Sequence, residues 1–270
     1  MNPIKRYPQA TFWLIAWATS FFGWYMVARD PNGPWLFFLY GPFVGGLLVT
    51  AVVDGRSGLK IWFSRIVRWR VGIQWYAVAL LTPVILRLAA YGLNILSGAA
   101  PVQNPELGPL SDHLMGILFP SFLGIALAEE PGFRGYALPK LMEGRSALTA
   151  SLILGVLHAI WHIPLFIWGS DSPIIVPIII AGAILNTWLF NRSNGSVLLC
   201  MLLHTSIDRM VYVFNPLFAG ADAERQTLWL VVVFVAMGII LPVLTGKELG
   251  RKPESSMERM TQNQQLLAAK

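Results

Sequence analysis

The sequence predicts an all-α polytopic membrane protein of about eight transmembrane helices. Three observations carry that prediction. Of the 270 residues, 55% are hydrophobic and only 13% are charged, where soluble domains carry about 25% charge. The mean hydropathy is +0.58. Apolar runs long enough to cross a bilayer recur along the chain between short polar loops.

In chain order the spans fall at 10–28, 34–53, 72–96, 112–130, 147–167, 174–190, 196–215 and 227–246. The first follows a Lys5-Arg6 pair with no small-residue cleavage site after it, so it reads as a helix rather than a removable signal. The second is short and glycine-bearing. The sixth carries Pro177 and Gly182, and the seventh is the least hydrophobic because it holds His204, Asp208 and Arg209. Residues 56–71 place Leu59, Trp62, Phe63, Ile66 and Val67 on one side at helical spacing, with Arg and Lys over much of the rest. That pattern predicts an amphipathic helix in the cytoplasmic interface. Residues 251–270 are polar, lack aromatic residues, and are expected to form a disordered or loosely helical tail.

Charge fixes the orientation. With the N-terminus inside and eight spans, 16 of the 20 Lys and Arg residues fall in cytoplasmic segments, as the positive-inside rule requires. Both termini are therefore expected in the cytoplasm, and the pattern suits a bacterial plasma membrane. The net charge of +6 is accounted for by this topology and by contact with anionic headgroups of the lipid bilayer; it gives no reason to expect nucleic-acid binding. The single cysteine, Cys200, allows neither an internal disulfide nor a cysteine metal cluster.

Polar residues inside the spans are costly and need partners. Glu129 and Glu130 end an apolar run from Leu114 to Ala128 that contains no charge. Arg134 is four residues after Glu130, on the same face of a continuing helix, so Glu130 is expected to pair with it. Glu129 points about 100° away and is left without a local partner. His158 and His162 share one side of the fifth span, and His204 and Asp208 have the same spacing in the seventh. Arg87, in the third span, is read as pairing with a helix-end carboxylate or snorkelling. A carboxylate at low dielectric can take a proton from water, one imidazole can hold that water, and another can donate to an oxyanion. Those are the parts peptide hydrolysis needs. Neither a Gly-x-Ser-x-Gly elbow nor a His-Glu-x-x-His zinc motif is present in the sequence. His158 and His162 have metal-ligand spacing but lack the intervening Glu.

Three motifs in order resemble the CPBP family (CAAX proteases and bacteriocin-processing enzymes, also called Abi). They are Glu129-Glu130-x-x-x-Arg134, His158-x-x-x-His162 and His204-x-x-x-Asp208. The resemblance implies a four-helix catalytic core at 111–215, with membrane spans over 1–110, a last transmembrane helix in 216–250 and the tail over 251–270. It implies an intramembrane metallo- or glutamic endopeptidase acting on a membrane-associated protein or peptide. Glu129 and His162 would activate the water, Glu130 and Arg134 would shape the site, and His204 and Asp208 would form the oxyanion hole. If a metal such as zinc is used, Glu129, His158, His162 and His204 are the candidate ligands. Two positions depart from the family pattern: His158 stands where Phe is usual, and Asp208 where Asn is commoner. An ionised Asp208 would repel an oxyanion, so it must be protonated, turned away or paired with His204 or Arg209. A non-proteolytic bacteriocin-immunity or scaffold protein of the same fold is the alternative. A proton-coupled carrier is a third, disfavoured because the spans show no matching broken halves.

Overall fold

Among the described residues, seven helices are long and apolar enough to cross a membrane. The computed structural model describes residues 3–33, 35–169 and 171–251; the expected tail lies outside the described residues beyond Arg251. The main helices are α1 (Pro8–Arg29), α2 (Gly41–Val53), α3 (Gly55–Ile66), α4 (Ile73–Leu96), α5 (Leu110–Leu141), α6 (Ala147–Trp161), α7 (Ile163–Trp168), α8 (Val176–Arg192), α9 (Val197–Phe214) and α10 (Gly220–Thr245). Helices α6 and α7 form one span, Ala147–Trp168, broken at His162.

Two expected spans differ. The second, at 34–53, is a shorter apolar helix, Phe37–Val53, and is not among the seven. Its first part winds as a 3-10 helix over Trp35–Tyr40, and the α-helical hydrogen bonding restarts only at Gly41-Pro42. Proline is well suited to a first turn because the N–H it lacks has no helical acceptor there. The fourth span, expected to stop at residue 130, continues to Leu141. Pro131 does not end it because the helix widens to a π register over Pro131–Ala137, as it does around Pro120 over Ile117–Ala126. A wider turn accommodates the missing donor and the ring's clash with the preceding turn. Arg134, assigned by sequence to a cytoplasmic segment, is consequently inside the helix and only 2% exposed.

Close backbone contacts hold α5 against its neighbours. A Cβ on Gly132 would collide with the Pro42 carbonyl, and one on Gly46 would stand 3.2 Å from the Gly132 Cα. Glycine at both positions is what lets α2 and α5 touch. Helix α3 docks on the same segment rather than lying free. Trp62 is 2% exposed and donates its indole N–H to the Pro131 carbonyl at 2.9 Å. Arg65 donates to the Gly135 carbonyl at 3.2 Å. Ile61, Phe63, Val67 and Trp69 remain exposed, so the apolar stripe expected over 56–71 is divided between the protein core and the outside.

The core beside this contact is aromatic: Phe12, Trp13, Phe133, Tyr136 and Trp161 are all buried in one cluster. Trp13 stacks on Phe133 with centroids 5.6 Å apart. At the break in the fifth span, Pro164 cannot donate into the preceding turn. The Ser20 hydroxyl of α1 donates to the Trp161 carbonyl at 3.1 Å, and the Trp17 indole donates to the Leu157 carbonyl at 3.2 Å. Helix α1 thus takes up backbone acceptors along the half-span that carries the histidines, as buried carbonyls require.

Candidate functional site

The two adjacent glutamates sit on the four α-helical residues, Leu127–Glu130, between the two π stretches of α5. Both are buried, and they face different partners. Glu130 Oε1 accepts from Arg134 NH1 at 2.9 Å and lies 2.7 Å from His204 Nδ1 of α9. Glu129 Oε2 lies 3.1 Å from His158 Nε2 of α6. Among the described residues, Glu129 has no side-chain partner on its own helix, as its spacing led one to expect. Its partner comes from another helix 29 residues away in sequence, which helical spacing within α5 could not reveal.

His158 is held between this carboxylate and an aromatic wall. Its ring centroid is 4.4 Å from that of Phe133 and 5.0 Å from that of His162. The buried Nδ1 of His158 has no hydrogen-bond partner among the described residues. His162 sits on the helix break, and its Nδ1 lies 3.3 Å from Asp171 Oδ2. Ligand atoms of Glu129, His158 and His162 all lie within 4.8 Å of one another. A buried Glu/His cluster able to coordinate a metal ion is thus present. Of the four candidate ligands named from sequence, His204 stands outside this triple, turned to Glu130.

Asp208 is turned toward α5 and its own neighbour. Its Oδ2 accepts from the Ser121 hydroxyl and from Arg209 NH2 at 3.3 Å. Among the alternatives left open by sequence, the geometry is the pairing with Arg209. That guanidinium lies over the Tyr212 ring at 3.9 Å and beside Gly116, where a Cβ would collide with it.

These groups border a cavity of about 240 Å³ whose lining includes Glu130, Arg134, His158, His162, His204 and Asp208. Glu129, 4% exposed, adjoins this lining through its contact with His158. Two charged lining residues, Asp171 and Arg87, were not assigned to the site from sequence. Asp171 was placed in an outer loop, and the available signal was only a carboxylate nine residues after His162. Arg87 was expected to pair with a carboxylate or snorkel; instead it is buried and donates to Asn215 Oδ1 at 3.0 Å. Trp62 was seen as an interfacial residue, and its link to Pro131 had no sequence signal.

Comparison with known proteins finds relatives of the region that carries this cluster. Residues 111–210 match the family profile described as Rce1-like, type II CAAX prenyl endopeptidase Rce1-like. A CAAX prenyl protease 2 of Methanococcus maripaludis is 24% identical over 212 residues, covering 72% of this chain and 74% of that protein. The chain is therefore a polytopic membrane protein with distant homology to the Rce1-like CAAX-protease superfamily.

Proposed function

We propose that the protein is an intramembrane endopeptidase of the CPBP type that hydrolyses a peptide bond in a membrane-associated protein or peptide. The observation that carries this reading is the buried Glu129–His158–His162 triple beside a cavity that also reaches His204. Glu129 takes a proton from a water held between its carboxylate and His162, and the water oxygen bonds to the scissile carbonyl carbon. His158 orients the carboxylate through the Glu129 contact, and Asp171 orients His162 from behind. His204 lines the cavity and is anchored by Nδ1 on Glu130, and its other ring nitrogen serves as the donor to the developing oxyanion. Collapse of the tetrahedral centre breaks the C–N bond, and the proton held on Glu129 passes to the departing amine. Glu130 and Arg134 hold this arrangement. Asp208, held by Ser121 and Arg209, positions α9 against α5.

The same triple fits zinc. Two imidazoles and one carboxylate with a further position open is the donor set of hydrolytic zinc centres. An Asp beside one imidazole is the supporting contact such ligands commonly have, and His158 Nδ1 has no other hydrogen-bond partner among the described residues. Glu129, His158 and His162 would hold the ion. Bound there, zinc would lower the pKa of a water and polarise the carbonyl.

The alternative is a non-proteolytic immunity or scaffold protein, favoured by one observation: Asp208, at a position assigned to the oxyanion hole, is already engaged by Ser121 and Arg209. The test is cleavage by the full chain reconstituted in nanodiscs. The probes are a farnesylated peptide ending in a CAAX sequence, chosen because the archaeal relative is named for prenyl substrates, and the same peptide without the prenyl group. Cleavage by the wild type and its loss in Glu129→Gln and His162→Ala support the peptidase. Activity retained in either variant sinks the site as drawn. Absence of cleavage in the wild type, with a cellular resistance phenotype kept by both variants, favours the scaffold.

A further inference from the structure

The cavity wall carries a cation that the hydrolytic groups leave unused. Arg87 of α4 is 8% exposed and lines the cavity. Of its several N–H groups, one has an acceptor, the neutral Asn215 Oδ1. The carboxylates bordering the same cavity are taken: Glu130 by Arg134 and His204, Asp171 by His162, and Asp208 by Arg209. Among the described residues, Arg87 makes no ion pair. A guanidinium buried without a countercharge is expensive to keep, and one lining a cavity can offer its unused donors to an anion bound there.

The position of Arg87 relative to His204 limits what that ligand is. His204, Ile207, Asp208 and Val211 of α9 line the cavity, and Asn215, which holds Arg87, continues the same helical face by spacing. From His204 to Asn215 the helix axis advances roughly 16 Å, and the guanidinium's own reach shortens the gap. Extended peptide advances about 3.3 Å per residue, so roughly three to five residues beyond a bond held at His204 bring a chain end to Arg87. Ile178, Ile179, Leu230 and Phe234 line the same cavity and suit apolar side chains on those residues.

We propose that Arg87 is the specificity-determining residue that binds the free C-terminal carboxylate of the peptide, measuring the scissile bond from the chain end. This rests on the peptidase reading above. A carboxylate is the favoured ligand over a lipid phosphate because the anion site is at the end of a path that starts at the Glu/His cluster.

The test separates the two readings. Full-length Glu129→Gln protein in phosphatidylcholine nanodiscs is titrated with one fluorescent farnesylated CAAX peptide carrying either a free carboxylate or a C-terminal amide. The free acid is expected to bind about tenfold or more tightly than the amide. That ratio falls to near one when Arg87→Gln is added, and Arg87→Lys keeps an intermediate ratio, which a purely structural role would not produce. In the catalytically intact chain the same acid-over-amide preference appears in KM rather than kcat. Equal binding of acid and amide, or no binding of either, overturns the role of Arg87 even where cleavage is intact. Loss of binding on adding phosphatidylglycerol, with no acid-over-amide preference, overturns it in favour of a lipid anion. If nothing is cleaved but the binding ratio holds, the peptidase reading fails and the carboxylate site stands.

Discussion

Glu129 and Glu130 are adjacent, equally buried and carried by the same helical turn, yet they are neutralised in different ways. Glu130 faces a permanent cation, Arg134, at 2.9 Å, with His204 on the same oxygen. Glu129 faces an imidazole, His158, with His162 next to it. A guanidinium is a fixed countercharge, because it does not give up its proton in a protein. Among the described residues, Glu129 has no such fixed cation beside it; its neighbours in the cluster are the two imidazoles alone. On the proposed mechanism, the fixed Arg134 countercharge suits Glu130 to the architecture and leaves Glu129 for the chemistry.

The largest expected effects break this comparison. Glu129→Gln keeps the shape and a hydrogen-bond contact to His158, so protein accumulation stays near wild type while cleavage falls by roughly 10²–10⁴-fold, the range for loss of a positioned general base. Glu130→Ala does the reverse. It leaves Arg134 buried without a countercharge, and breaking a buried pair from one side costs about 3–5 kcal/mol. The measured consequence is reduced accumulation and a lower melting temperature in detergent, with Glu130→Ala and Arg134→Ala behaving alike. Equal loss of accumulation in the Glu129 and Glu130 variants would erase the distinction.

A second pair of measurements sharpens the Glu129 side. Asp171→Asn removes the carboxylate behind His162, and loss of such a supporting contact costs about 10–100-fold in activity or metal affinity. Its stability is expected to remain close to wild type, since Asp171 is at a half-buried loop position. His158→Phe then separates water activation by glutamate from metal assistance. If zinc is held by the triple, the purified protein carries about one zinc by elemental analysis, and the His158 change or a strong chelator removes both metal and activity. If the chemistry is glutamate-based, His158→Phe loses only the orientation of Glu129, a drop of about tenfold for one hydrogen bond to a charged group, and chelation has no effect.

The two sides were not equally legible in the sequence. The Glu130–Arg134 pair is local, four residues apart on one helix, and helical spacing alone was enough to find it. The contacts of Glu129 and Glu130 with His158 and His204 join helices far apart in sequence, so the residues could be named as candidates but not matched to one another. Asp171 and Arg87 were hidden for different reasons. Asp171 looks like any loop acid until the helix break at His162 folds it back, and Arg87 looked like a snorkelling or paired residue because a free buried cation is the exception. The fold followed the same division. Long apolar runs were visible, whereas the shortening of the second span and the passage of α5 through Pro131 depend on 3-10 and π hydrogen bonding, which hydropathy does not register.

The smallest effect expected concerns how the π segment is braced. The Pro131 carbonyl lies in a stretch where regular i to i−4 pairing is lost, and the Trp62 indole satisfies it from α3. Trp62→Phe keeps most of the apolar contact with Phe43 and Phe63 and removes only that donor, leaving a buried carbonyl short of one partner. The cost is about 1 kcal/mol, read as a small fall in melting temperature. Because the bond is made to the residue directly after Glu130, any catalytic loss should be modest and should track the loss of folded protein. A catalytic loss much larger than the stability loss would instead mean that α3 sets the position of the glutamates themselves, and the assignment of chemistry to Glu129 and architecture to its surroundings would have to extend to the interfacial helix.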